Sequence, residues 1–179
     1  MNINFQGLIP QDLNDNSHVW VYQSNRAFTI QEAIAIEVLL HNFTREWKSN
    51  GIAVKGYANL FFGHFIILVA DESATGIRGF NADDSIRLIK NIEQDYKVEL
   101  FDRLMLAFII QERIQLLPLA GLNLSIEKDL VTPDTLYFNN TILTKRELLN
   151  KWIIPVKKSW LSIRLFEKED HRMSHESLN

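Results

Sequence analysis

Two groups of polar side chains in this chain have the types and spacing that chemistry requires. Asp71 and Glu72 close a strongly apolar run, and Asp83 and Asp84 with Ser85 open the helical pattern that follows. Carboxylates gathered at a strand end can hold a divalent cation, because hard cations prefer oxygen ligands, or they can act as acid and base. The same stretch carries Gly76 and Gly79 before a helix N-terminus, the setting of an anion site, but Asp83 and Asp84 already place negative charge there. A plainer reading makes those two aspartates first-turn partners of the helix dipole, with Asp71 and Glu72 as solvated loop residues. The second group is Ser24, Asn25 and Arg26, just after a strand, together with Asp102 and Arg103. Loops at strand ends display side chains on a rigid frame and can contact a polar ligand. Its plainer reading is turn chemistry, which Asn and Ser favour, with Asp102 pairing Arg103 or capping a turn.

Most catalytic patterns are missing. The nearest approach to a phosphate-binding P-loop is Gly51-Ile-Ala-Val-Lys-Gly56, followed by Tyr57, which lacks both the Lys and the Ser/Thr that follow the second glycine in such loops. Nucleotide hydrolysis by that route is therefore excluded. There is no G-x-G-x-x-G, no G-x-S-x-G and no H-E-x-x-H. With Cys 0, disulfides, thiolate metal sites and cysteine nucleophiles are excluded as well. His171 and His175 have the i,i+4 spacing of a zinc pair, but they stand in a polar tail with no packed neighbour to preorganise them. Trp20, Trp47, Trp152 and Trp160 read as core anchors. Lys157, Lys158, Trp160 and Arg164 are too sparse a basic and aromatic set for RNA binding. No cofactor and no metal is expected.

The 179 residues contain 19 Lys+Arg against 22 Asp+Glu, a formal charge of −3. Without a basic excess, a dedicated nucleic-acid partner is not expected. A hydrophobic share of 46% with so little net charge describes a folded chain with a sizeable core. The longest apolar run, residues 65–70, is far short of a membrane helix, and residues 1–16 lack a basic segment followed by an apolar one. No membrane association and a cytoplasmic location are expected. The N-x-[ST] matches at Asn42 and Asn139 are then chance.

The elements that must position these residues alternate along the chain. His18, Trp20 and Tyr22 alternate with Val19 and Val21, the period of a strand over 18–23. Thr29 with Glu32 forms a capping box for a helix over 30–47, whose Ala33, Ile36, Leu40, Phe43 and Trp47 make a buried stripe that Ile34 and Val38 broaden. Residues 54–61 and 64–70 read as a hairpin about Phe62-Gly63, the second strand apolar on both faces. A helix over 82–96, capped by Asn81, turns Ser85, Leu88, Ile92 and Tyr96 inward, with Ile89 beside them. A fourth apolar strand over 104–110 pairs with 114–117 across Gln111-Glu112-Arg113. Shorter elements follow at 119–130, 136–138, 145–150, 152–156 and 159–166. The order through Ile110 is strand, helix, strand, strand, helix, strand. That is the split, ferredoxin-like βαββαβ pattern of an α+β protein, an antiparallel sheet with two helices on one face. Strands apolar on both sides require a cover for the other face, which is assigned to a C-terminal α/β extension. The expected organisation is an N-terminal arm over 1–17, one α+β domain over 18–166 (core 18–110, extension 111–166) and a polar tail over 167–179.

From His18 to Trp160 the chain resembles a small bacterial family without an established activity, whose members often carry the label "ABC transporter ATPase". The residues that carry the likeness are Val19-Trp-Val-Tyr-Gln-Ser-Asn-Arg26, Phe65-Ile-Ile-Leu-Val-Ala-Asp-Glu72 and Leu100-Phe-Asp-Arg103. In that family the loop before the second helix reads Gly-Cys-Ser-x-Asp-Ser-Ser; here it reads Gly79-Phe-Asn-Ala-Asp-Asp-Ser85, with Phe80 at the cysteine position. Any thiol chemistry of the family is thus unavailable to this chain. The label fails on chemistry too, since neither a Walker A loop nor an LSGGQ-like signature is present. No functional residue is carried over.

Two functions of different class fit. The favoured one is a non-catalytic domain acting through protein–protein interaction or homodimerisation. The alternative is a metal- or small-ligand-dependent enzyme using the acidic loop from Asp71 to Ser85.

Overall fold

The computed structural model describes residues 1–73 and 82–164. Its elements in chain order are β1 (His18–Gln23), α1 (Ile30–Glu46), β2 (Lys48–Ser49), β3 (Ile52–Ala53), β4 (Lys55–Phe61), β5 (Phe65–Asp71), α2 (Asp83–Tyr96), β6 (Met105–Ile110), β7 (Arg113–Pro118), α3 (Leu122–Glu127), β8 (Leu136–Phe138), α4 (Lys145–Lys151) and β9 (Ile153–Pro155). The class is α+β, and among the described residues every strand pair is antiparallel. Contacts group the chain into two compact units. Among the described residues, one holds 2–102 with Asn140–Asn150; the other holds Arg103–Asn139 with 151–164.

In the first unit the sheet order is β1-β5-β4. Trp20 faces Leu68 across one pair, and Ala58 faces the same Leu68 across the other. The β4–β5 hairpin turns at Phe62 (φ 53) and Gly63 (φ 66), closed by the His64 amide donating to the Phe61 carbonyl at 3.0 Å. Two successive left-handed residues give the turn a twist that matches its strands, and glycine adopts that conformation freely. α1 begins as expected: Thr29 Oγ1 accepts from the Glu32 amide at 3.2 Å, and Glu32 Oε2 accepts from the Thr29 amide at 2.8 Å. Ile36 and Leu40 of α1 and Ile89 and Ile92 of α2 bury against Tyr22, Leu60, Ile66, Leu68 and Ala70, so both helices share one sheet face. Phe65, Ile67 and Val69, which point the other way, are equally buried.

Three expectations change here. The segment read as an N-terminal arm buries Phe5, Ile9 and Leu13, and Phe5 packs edge-on against Phe61 and Phe62 at 6.2 and 6.4 Å. It belongs to the core because three spaced apolar side chains outweigh the cost of ordering a short segment. Ile34 and Val38, read as part of the core stripe, lie outward at 59% and 55% exposure. One sheet face buries only one arc of a helix, and Ala33, Ile36, Leu40 and Phe43 already fill it. α2 starts at Asp83, with Ala82 in the cap position; Asn81 lies outside the described residues.

The fourth strand of the expected core also differs. β6 lies in the second unit, within a sheet ordered β7-β6-β8-β9, so the ferredoxin-like order is not what the strands adopt. The reason is local. Gln111 and Glu112, both left-handed (φ 50 and 58), fold β6 directly onto β7 with Ile110 opposite Arg113. β7 takes one edge of β6 and β8 takes the other, with Phe108 opposite Tyr137, so β6 has no edge left for β1. The free side of β1 takes a different segment instead. The Val19 amide donates to the Leu143 carbonyl at 2.9 Å, His18 bridges Thr144, and Asn140 Nδ2 donates to Gln23 Oε1 at 2.8 Å. The second unit has its own core of Leu106, Phe108, Ile110, Leu122, Ile126, Val131, Tyr137, Val156 and Leu161.

Candidate functional site

Arg26 does its work inside the first unit. Its Nη1 donates to Glu32 Oε2 at 2.8 Å and its Nη2 to Glu32 Oε1 at 2.9 Å, a two-pronged pair. Nη2 also donates to the Tyr96 carbonyl at 2.7 Å, and the guanidinium lies 5.9 Å from the Phe28 ring centre. One side chain thus ties the start of α1 to the end of α2. Arg26, with the Thr29 amide, holds the Glu32 carboxyl down at about 2. Asn25 bridges the same corner: its amide donates to the Glu99 carbonyl at 3.2 Å and its Oδ1 accepts from the Glu99 amide at 3.1 Å. The buried Ser24 donates its amide to the His64 carbonyl at 2.8 Å. Ser24 and Asn25 thus bond backbone groups, while Arg26 bonds the Glu32 carboxylate and the Tyr96 carbonyl. Asp102 is half-buried and Arg103 exposed.

Asp71 has a comparable role at the opposite sheet end. It is buried; Oδ2 accepts from the Asn14 amide at 3.0 Å, and Oδ1 accepts from the Ser73 amide at 3.0 Å and the Ser73 hydroxyl at 2.6 Å. Burial pushes its pKa up, but these bonds and the Lys55 charge outweigh burial and hold it below the ordinary range. Glu72 Oε1 lies 3.7 Å from His18 Nδ1. Asp83 is exposed in the first turn of α2, and Asp84 Oδ1 pairs with Arg87 Nη2 at 2.6 Å. Residues 74–81, the middle of the acidic loop, lie outside the described residues. Among the described residues, no three His, Asp or Glu side chains gather as a metal site.

Sequence reasoning missed Lys145. It is buried, and its Nζ donates to the carbonyls of Leu13 (2.6 Å) and Gln11 (3.2 Å). Lys55 reaches the same segment, with Nζ 3.0 Å from Asp12 Oδ2 and donating to the Asp12 carbonyl. Two lysines therefore pin residues 11–13 by their backbone. The sequence does hold a signal for the local structure: Thr144-Lys-Arg-Glu147 repeats the capping pattern of Thr29 to Glu32. The Glu147 amide donates to Thr144 Oγ1 (3.2 Å), while Glu147 Oε2 accepts from the Leu143 amide (3.0 Å), one residue before the one a full box uses.

Two surface features of the first unit remain open. One is a shallow cleft of about 270 Å³ between α1 and α2, floored by Phe43, Trp47 and Leu88 and rimmed by Glu46, Asp84 and Arg87. The other is the outer row of α1. Ile30, Ile34 and Val38 are 75%, 59% and 55% exposed, and at i, i+4, i+8 they stack on one side of the helix. With Glu37 and His41, also exposed, they span an arc of about 100°. Burial raises the pKa of the Tyr57 phenol of β4, the Asn59 hydrogen bond works against that rise, and the Glu37 charge adds a smaller one. Phe43 and Glu46 line the cleft toward α2. No helix among the described residues is long and apolar enough to cross a membrane. No family model, no curated protein and no solved structure matches the chain.

Proposed function

We propose that this chain is a protein-interaction module that docks through the outer row of α1. The observation that carries this reading is the exposure of Ile30, Ile34 and Val38 on a helix whose opposite side is already buried in the core. A surface helix bounded by water on that side is ordinarily polar there, and aligned aliphatic side chains four residues apart are the anchors by which helices dock. The alternative, an enzyme built on Asp71, Glu72, Asp83 and Asp84, draws no support from the geometry. Asp71 already accepts three hydrogen bonds that hold backbone and a serine, and Asp84 is paired with Arg87.

The test is site-specific photo-crosslinking in the source cells, with a benzophenone side chain at Ile34 and, as control, at the exposed Lys90 of α2. The expected result is a discrete adduct from position 34 and none from position 90. Absence of any adduct from positions 30, 34 and 38 refutes the reading.

A further inference from the structure

Residues 5–13 lie across the sheet face that turns away from α1 and α2. Leu60, Ile66, Leu68 and Ala70 pack with the helices, and a Cβ at Gly56 would meet Trp47, so Lys55, Phe61 and Asp71 point the other way. Phe5 meets Phe61 at the hairpin end of β4, and Asp12 meets Lys55 at its start. The segment therefore runs over β4 in the reverse direction. Lys55 and Asp71 are cross-strand partners, and Asp71 takes the Asn14 amide at that end.

This segment is held by side chains. Phe5, Ile9 and Leu13 are its buried apolar anchors. Charged groups take its main chain: Lys145 Nζ bonds the carbonyls of Gln11 and Leu13, Lys55 Nζ bonds that of Asp12, and Asp71 Oδ2 accepts from the Asn14 amide. The peptide group between Leu13 and Asn14 is thus fixed on both sides. The segment joins no strand ladder among the described residues, and the amides of Leu8 and Ile9 donate within it, to the carbonyls of Phe5 and Gln6. Backbone pairing to the body begins just beyond. The Asp15 carbonyl accepts from the Arg146 amide at 2.9 Å, and the Ser17 carbonyl from the Lys145 amide at 3.0 Å. Asn14 marks the border, since its carbonyl already belongs to the turn closed by the Ser17 amide at 2.9 Å. Lys145 acts on both sides of that border, its amide on the root and its ammonium on the segment. Leu13 is both an apolar anchor and a partner of that ammonium, so the two kinds of hold meet in one residue.

We propose that residues 5–13 form a strap that detaches as one piece about a hinge at Asn14, with the Lys145 ammonium as its lock, uncovering Phe61 while the sheet stays folded. A segment outside every ladder opens at a lower free energy than a strand paired on both sides. The device involves neither α1 nor its outer row, so it stands apart from the docking reading above.

Hydrogen exchange of the full chain, read amide by amide by NMR, tests it. Leu8, Ile9 and Asn14 share one protection factor, at least about a hundredfold below that of Leu68, which β1 and β4 flank. Lys145→Met keeps the stem and removes the ammonium. Its contacts in the strap are at residues 11 and 13, yet it speeds exchange of all three amides by one common factor, roughly 10–100, the ratio a hydrogen bond to a charged group contributes. Lys55→Met, at a half-exposed side chain, gives the same equality with a smaller factor of about two to five, and decides the matter if Lys145→Met does not fold. In each variant Leu68 stays the slower amide by the same hundredfold margin or more. A response confined to Asn14 means local fraying and overturns the proposal. Exchange of the three amides at the rate of Leu68 overturns it too, because the segment then leaves only with the whole fold.

Discussion

Gly56→Ala tests the packing that places α1 over β4. Glycine at this position has no unusual backbone geometry, so the substitution alone stabilises by about 0.4–1 kcal/mol through the unfolded chain. The tertiary structure reverses the sign. A methyl group at Gly56 stands 2.6 Å from Trp47 Cε3, 2.9 Å from Cζ3 and 3.3 Å from the Val69 carbonyl oxygen. Carbon atoms settle at about 3.5–4.0 Å, so the ring must retreat by about 1 Å. Its retreat is resisted by its neighbours: Trp47 is 2% exposed, with its ring centre 4.8 Å from Phe43 and 6.4 Å from Trp20. Overpacking of this kind costs about 1–3 kcal/mol. At about 2–4 °C per kcal/mol for a chain of this size, Tm falls by up to about 12 °C. Urea unfolding followed by tryptophan fluorescence measures the change. The decisive comparison is the same substitution in a Trp47→Leu background, where the clash is absent and Gly56→Ala becomes neutral or mildly stabilising. An equal cost in both backgrounds refutes the reasoning, as does a cost under about 0.5 kcal/mol in the parent chain.

Two further outcomes follow from single contacts. Glu32 is held at about 2 by Arg26, below its ordinary value of 4.5. The unfolded chain therefore binds a proton at Glu32 before the folded one does, and the stabilisation present above pH 4.5 is lost as pH falls toward 2. Thermal melts across that window will show a steeper loss for the parent than for Glu32→Gln; identical slopes contradict the pairing. In the β6–β7 turn, Gln111 and Glu112 adopt a left-handed backbone that costs such residues about 1–2 kcal/mol each, whereas Asn-Gly suits it. The double change Gln111→Asn with Glu112→Gly raises stability by about 1 kcal/mol in urea titration, and a lowered midpoint refutes the turn assignment.

The sequence alone determined the local elements, because their signals are local. Thr29 with Glu32 announced α1, alternation announced β1, Phe62-Gly63 announced the hairpin, and the unbroken apolar run of β5 announced burial on both faces. It also brought Ser24, Asn25 and Arg26 to one corner. What those side chains bind was not legible, since the Tyr96 and Glu99 backbone groups lie some 70 residues on and only the folded chain brings them near. The same holds for Lys145, whose partners are carbonyls that any residue type supplies. Tertiary structure alone decided where β6 goes, because an apolar strand pairs equally well with any free edge, and its second edge went to β8 and not to β1. It alone decided which of the two aliphatic rows of α1 faces the core. Ile36 and Leu40 and Ile34 and Val38 look alike by composition, and only a sheet that can cover a single arc of the helix leaves the second row exposed.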